Sequence, residues 1–187
     1  MATFSFKKEK NIVPSKGNNY TALYWWLDTA DFSHSLKVRS GYCIENYIRD
    51  LVVSSPLNYS LLGTGRLKIS NNKNKQADCL FGTKNSLGVI TSVFYREIKA
   101  NVNLDTEKDI ANKEKILEIS KTLTNFYPGI SINPGLLCPS HLDSTPSKNI
   151  EGFNDFISLI GYDTITFSKY QNIGQILGKT IRSYYAV

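Results

Sequence analysis

The chain has 187 residues, 41% of them apolar and 12% aromatic, and a net charge of +6. That length suits one domain, with or without an appendage, and the composition builds a real core and excludes wholesale disorder. No apolar run reaches the roughly 18 residues that cross a bilayer, the three isolated cysteines (Cys43, Cys79, Cys138) close no disulfide framework, and two distant histidines (His34, His141) exclude zinc and histidine-based hydrolytic chemistry.

In chain order, Met1 to Lys16 is polar and lysine-rich and lacks the apolar stretch and cleavage site of a signal peptide, so a cytoplasmic, non-membrane location is expected. Tyr20 to Phe32 is aromatic-rich, and Trp25-Trp26 either anchors this segment to the core or offers base-stacking surfaces. Ser40 to Val53 predicts a helix. Ile44, Ile48, Leu51 and Val52 share a face, Glu45 and Arg49 sit one turn apart, and Ser54-Ser55-Pro56 ends it. From Arg66 to Ala100 the period changes to two. This predicts strands over Arg66–Ser70, Ala77–Gly82 and Val89–Ala100, with Asn71–Lys75 a polar loop and a turn through residues 82–88.

A long amphipathic helix is expected to begin at Asp105 or Thr106, with Asp105 as its N-cap. Ile110, Ile116, Ile119, Leu123 and Phe126 mark its buried face, and Tyr127-Pro128-Gly129 stops it. Ile130–Leu137 reads as a strand, and Ser140–Lys148 as a loose connection. Helices over Glu151–Ile160, capped by Gly161, and Tyr170–Tyr185 follow, with a short strand Thr164–Phe167 between them. The expected fold is therefore α/β, a mixed central β-sheet flanked by helices with an α-rich C-terminal extension. Its single domain divides into an N-terminal basic and aromatic segment (1–39), a core (40–138) and a C-terminal helical extension (139–187).

The charge favours anionic partners, nucleic acid among them, though an ordinary basic surface has the same balance. Its distribution says more. Arg66, Lys68, Lys73, Lys75 and Lys84 fall within 19 residues that contain one acid, Asp78. Nineteen positions later come Glu97-Ile98-Lys99, at the end of a predicted strand. Side chains two apart on a strand point the same way, so Glu97 and Lys99 share a face. With Asp78 on a neighbouring strand they would form a hard-oxygen site for Mg²⁺ beside an ammonium. A divalent ion there would neutralise charge on a scissile phosphate and acidify attacking water, which the lysine could position. Random placement of 16 acids and 17 lysines would supply one or two acid-x-lysine triplets, and this is the only one. Its context, not the triplet itself, makes it informative; a salt bridge on an edge strand is the competing reading. A symmetric hairpin centred near Asn85 would also set Asp78 opposite Val93, so a bulge or asymmetric loop is required.

Asp78, Glu97-Ile98-Lys99 and the helix–strand–strand–strand–helix–strand order around them resemble the PD-(D/E)XK nucleases, and among these the type II restriction endonucleases. The resemblance covers roughly Ser40 to Leu137. Ala100 to Lys108 also looks like an extension found in some of these enzymes, whereas Ala77 stands where a proline often precedes the aspartate. The resemblance implies that Asp78 and Glu97 bind Mg²⁺, with the Ile98 carbonyl as a further ligand, and that Lys99 assists the attacking water. It also implies a glutamate from the first helix, for which Glu45 is the candidate, unless Glu45 only pairs with Arg49. Lys68, Lys73, Lys75 and Lys84 suit contacts to DNA phosphates. Lys108 and Lys113, near the start of the long helix, either touch phosphate or line a solvated face. Asn71, Asn72 and Asn74 suit base reading but are first a turn signal.

The expected function is thus Mg²⁺-dependent cleavage of double-stranded DNA, leaving a 5′-phosphate, by a sequence-specific restriction enzyme or one subunit of one. Cutting both strands with one site per chain requires a homodimer or a partner subunit. The alternatives are a nuclease of the same fold serving recombination, junction resolution or a mobile element, and a non-catalytic DNA-binding protein.

Overall fold

The computed structural model describes residues 34–63, 66–70, 73–99, 106–146, 149–166, 168–170 and 172–176. Helix α1 (His34–Val53) leads through β1 (Ser60–Leu61) to β2 (Arg66–Ser70) and β3 (Lys73–Gln76). Strands β4 (Cys79–Lys84) and β5 (Ile90–Ile98), helix α2 (Thr106–Phe126), strands β6 (Ser131–Leu137) and β7 (Ile150–Glu151) and helix α3 (Phe153–Leu159) follow. The sheet has the order β1-β4-β5-β6-β7, antiparallel from β1 to β5 and parallel from β5 to β7. A parallel neighbour requires a crossover, and α2 is the crossover between β5 and β6. The mixed α/β class is as expected.

Alternation along the strands splits the core in two. Cys79, Phe81 and Ile98 face Ile44, Ile48 and Val52 of α1 and Phe153, Phe156 and Ile157 of α3, while Leu80, Val93 and Tyr95 face Ile119 and Leu123 of α2. The sheet is therefore a middle layer, with α1 and α3 on one side and α2 on the other. The segment after Pro139 is built into this core: β7 extends the sheet, and Phe153, Phe156, Ile160 and Tyr170 are buried in the α1-side cluster. Ser55 Oγ donates to the Ile160 carbonyl at 2.5 Å and Tyr162 Oη to the Ser54 carbonyl at 2.6 Å, tying this segment to the end of α1. Gly161 (φ 88°) closes α3 as the cap expected there, and Gly129 (φ 77°) follows α2 in the expected stop.

Several local expectations are corrected. Of the expected loop Asn71–Lys75, residues Lys73 to Lys75 are strand: with Gln76 they pair antiparallel with Arg66–Ser70 as a separate two-stranded ribbon. Ile110 and Phe126 are exposed; the buried stripe of α2 runs through Ile119 and Leu123. Residues 162–166 form no strand. The Trp25-Trp26 pair, the Asp105 cap, the Ala100–Asp105 stretch, and the part of the last helix beyond residue 176 lie outside the described residues. Among those described, no helix is long and apolar enough to cross a membrane.

Candidate active site

The β4–β5 hairpin decides where Asp78 lies. Its loop spans residues 85–89, held by the Asn85 side chain, whose Oδ1 accepts from the amides of Leu87 and Val89 at 3.0 Å, and by Gly88 at φ 77°. Thr83 pairs with Ser92 and Lys84 with Ile90, so Thr91 is an extra residue, a bulge. The displaced turn brings Cys79 opposite Arg96, and Asp78 beside Glu97. Asp78 is thus not opposite Val93, which pairs with Gly82. The required asymmetry is present.

Asp78, Glu97 and Lys99 converge at the C-terminal end of β5. Lys99 Nζ donates to Glu97 Oε1 at 2.6 Å and stands 3.8 Å from Asp78 Oδ2. The Ile98 amide donates to Asp78 Oδ2 at 2.9 Å, so the carboxylate takes over the ladder where β4 has ended. In a strand both polar groups of a residue point toward the same neighbour. The Ile98 carbonyl is therefore directed toward the Asp78 side, and the Ile98 side chain is buried in the opposite core. Glu97 is fully buried and also accepts the Tyr95 hydroxyl at 2.6 Å.

Two further helices reach the site. Arg49 of α1 donates through Nε to the Asp78 carbonyl at 2.8 Å and through Nη2 to Glu45 at 3.2 Å. Glu45 therefore takes part in its expected pair and stands within electrostatic reach of Asp78, Lys99 and Glu97. From α2, Lys115 Nζ lies 2.6 Å from Glu97 Oε2 and 3.7 Å from Asp78 Oδ1. Lys115, Tyr95 and Arg49 were not foreseen as site residues. A signal for Lys115 was available: it stands four and eight residues before Ile119 and Leu123, in line with the buried stripe of its helix.

The electrostatics follow from burial and this crowding. Burial pushes the Asp78 carboxyl above its ordinary value and the Glu97 charge adds to this, against Lys115 and Lys99. Burial also acts upward on Glu97, but the Lys99 charge and the hydrogen bonds from Lys115, Lys99 and Tyr95 outweigh it and hold Glu97 below the usual carboxylate range. Glu45 is raised by burial and by Asp78. Lys99 loses by burial and gains more from Glu97 and Asp78, so its ammonium is held above the ordinary lysine value.

The remaining expected residues do not gather here. Lys84 is exposed at the far end of β4, about 20 Å along the strand from Asp78 at ~3.3 Å per residue. Lys75 forms an ion pair with Glu118 of α2, and Lys113 with Asp109 at 2.7 Å. Lys68 and Lys73 lie on the β2–β3 ribbon and Lys108 in the first turn of α2; their side chains lie outside the described residues. A cleft of about 190 Å³ lined in part by Arg49, Gly63, Gln76 and Asp78 opens beside Asp78; Glu97 does not line it.

Among the described residues no group of three or more His, Cys, Asp or Glu side chains is placed to hold a metal ion. The donor set is two buried carboxylates and a carbonyl turned the same way. Mg²⁺ is commonly held by one or two carboxylates, with water and substrate phosphate completing its shell, so this set fits that ion. Two ammoniums already span both carboxylates, that of Lys99 from the same strand and that of Lys115 from α2. No family model, curated protein or solved structure matches the chain.

Proposed function

We propose that this protein is a Mg²⁺-dependent endonuclease that hydrolyses phosphodiester bonds of double-stranded DNA. On this reading it resembles the PD-(D/E)XK enzymes and acts as a sequence-specific type II restriction enzyme or one subunit of one. The observation that carries the reading is the meeting of Asp78, Glu97 and Lys99 at one strand end, with Lys99 2.6 Å from Glu97 and 3.8 Å from Asp78. Glu97 and Lys99 meet through the two-residue repeat of their strand, but Asp78, 19 positions earlier, had no such local reason to join them.

When bound, the divalent ion supplies charge neutralisation at the scissile phosphate and activation of water. The chain's part is positioning. Asp78 is oriented by the Ile98 amide and Glu97 by Tyr95, so the two carboxylates are held before any ligand arrives. Lys99, cationic throughout the neutral range, holds the attacking water or the charge that develops on the phosphate oxygens. Water attacks phosphorus, the P–O3′ bond breaks, and the products are a 5′-phosphate and a 3′-hydroxyl. The β2–β3 ribbon, bearing Lys68, Lys73 and Lys75, has the shape of an element that enters a major groove. A homodimer or a partner subunit would supply the second cut.

A second reading is favoured by one observation. The carboxylates are already neutralised by lysines, as in a purely structural ion-pair cluster within a DNA-binding protein. Incubation of the protein with plasmid, with Mg²⁺ and with Ca²⁺ as control, separates the two. Discrete fragments with Mg²⁺, lost in Asp78→Ala and Lys99→Ala while DNA binding persists, are expected. Intact plasmid at every condition, with binding unaltered by either change, would leave only the structural reading.

A further inference from the structure

We propose that Lys115 is a tethered cation that makes loading of the site with a divalent ion depend on bound phosphate. The inference rests on the metal-dependent reading above and concerns how that site is regulated. Lys115 Nζ lies 2.6 Å from Glu97 Oε2, 2.7 Å from Glu97 Oε1 and 3.7 Å from Asp78 Oδ1. It stands where a single ion would reach both carboxylates. A Mg²⁺ ion sits at about 2.0–2.1 Å from each oxygen ligand, so ion and ammonium cannot share that position.

Charge makes the competition consequential. Glu45, Asp78 and Glu97 carry three negative charges, and Arg49, Lys99 and Lys115 carry three positive ones. The cluster is balanced without a metal. A dication entering with all three bases in place leaves two uncompensated positive charges in a partly buried site, which is costly. A phosphodiester brings negative charge and acceptor oxygens, so it can receive the displaced ammonium and restore the balance. The lysine stem permits this exchange. Its helix is fixed through Ile119 and Leu123, while the side chain retains partial exposure and four rotatable carbons. Metal-free protein would thus keep its catalytic carboxylates paired and inert, and DNA would release them.

The test is a Mn²⁺ titration without DNA, read from the electron paramagnetic resonance signal of the free ion. It compares the native protein with Lys115→Met, Lys115→Gln, Lys115→Arg and Lys121→Met, the last an exposed charge on the same helix outside the site. Lys115→Gln retains a donor for Glu97 should Lys115→Met fold poorly. Lys115→Met and Lys115→Gln are expected to bind Mn²⁺ at least tenfold more tightly, about 1.4 kcal/mol. Lys115→Arg and Lys121→Met should stay within about threefold of the native protein, because the first keeps the charge and the second never met the site. In a second arm, a short DNA duplex should raise Ca²⁺ affinity in the native protein and do so much less in Lys115→Gln.

Equal or weaker Mn²⁺ binding in both neutral variants overturns the proposal, even if the native enzyme cuts DNA. Tighter binding in those variants without any native cleavage upholds the tethered cation and removes the nuclease reading. Absence of Mn²⁺ binding in every protein without DNA overturns the tethered cation, and absence of Ca²⁺ binding even with the duplex removes the metal-dependent reading as well.

Discussion

Replacing Glu97 by glutamine keeps the shape of a fully buried side chain and deletes its charge. Three donors lose a charged acceptor: Tyr95 Oη, Lys99 Nζ and Lys115 Nζ, each 2.6 Å away at its nearest. Breaking a buried ion pair costs about 3–5 kcal/mol. Lys99 is 33% and Lys115 23% exposed, so water partly recovers both ammoniums and the lower end, about 3 kcal/mol, applies. For a chain of this size each kcal/mol moves Tm by about 2–4 °C, a fall of roughly 6–12 °C.

Asp78→Asn should act in the opposite sense. The Asp78 carboxyl is raised in the fold, so its charged form is disfavoured there, whereas Glu97 is lowered and its charged form favoured. Asparagine can still accept the Ile98 amide. Stability at neutral pH should hold or rise, although both variants lose cleavage. The pH dependence has matching signs. The stabilisation by Glu97 is fully present above its ordinary value of 4.5 and is lost as pH falls through its lowered folded value, so the Glu97→Gln deficit closes only in acid. The cost of ionised Asp78 is present above its raised folded value and disappears as pH falls through it, so any gain from Asp78→Asn vanishes first. Thermal and urea unfolding of the metal-free proteins between pH 3 and 8 measures both. An unaltered Tm for Glu97→Gln, or an equal loss in the two variants, would refute the electrostatic assignment.

Two other outcomes concern the frame. In Gly82→Ala the new Cβ would sit 2.3 Å from the Ser92 carbonyl oxygen, which is backbone and cannot swing away. The β4–β5 register must give, with a loss of about 1–3 kcal/mol by urea unfolding and a larger loss of cleavage than that instability explains. Arg96, 3% exposed, donates to both Glu151 oxygens at 2.6 and 3.0 Å and to the Asn133 carbonyl at 2.8 Å. Arg96→Met should cost about 3 kcal/mol, partly restored by Glu151→Gln in a double-mutant cycle; additive losses would disprove the coupling.

Local periodicity carried much of the architecture. The 3.6-residue spacing of Ile44, Ile48 and Val52 and of Ile119 and Leu123 marked the faces that α1 and α2 bury, and the strand over 130–137 was read within a residue of β6. Ile110 and Phe126 were assigned to the buried face because they are apolar, yet the packed stripe is narrower than the apolar one. Strand β2 lies where it was expected, but β3 was not foreseen, because Lys73-Asn74-Lys75-Gln76 has poor intrinsic strand preference and its pairing with Arg66–Ser70 overrides that. Two-residue strands such as β1 and β7 leave no periodic trace.

The site divides along the same line. That Glu97 and Lys99 share a face follows from the two-residue repeat of a strand and needs nothing outside three consecutive residues. Which carboxylate meets them depends on the Thr91 bulge and the displaced turn, a register chosen by side chains packing on both faces of the sheet. That Lys115 sits between the acids depends on α2 crossing back to place β6 beside β5. Sequence alone determines what repeats within a turn or a pleat; contacts between segments tens of residues apart exist only once the chain has closed on itself, and the folded arrangement decides them.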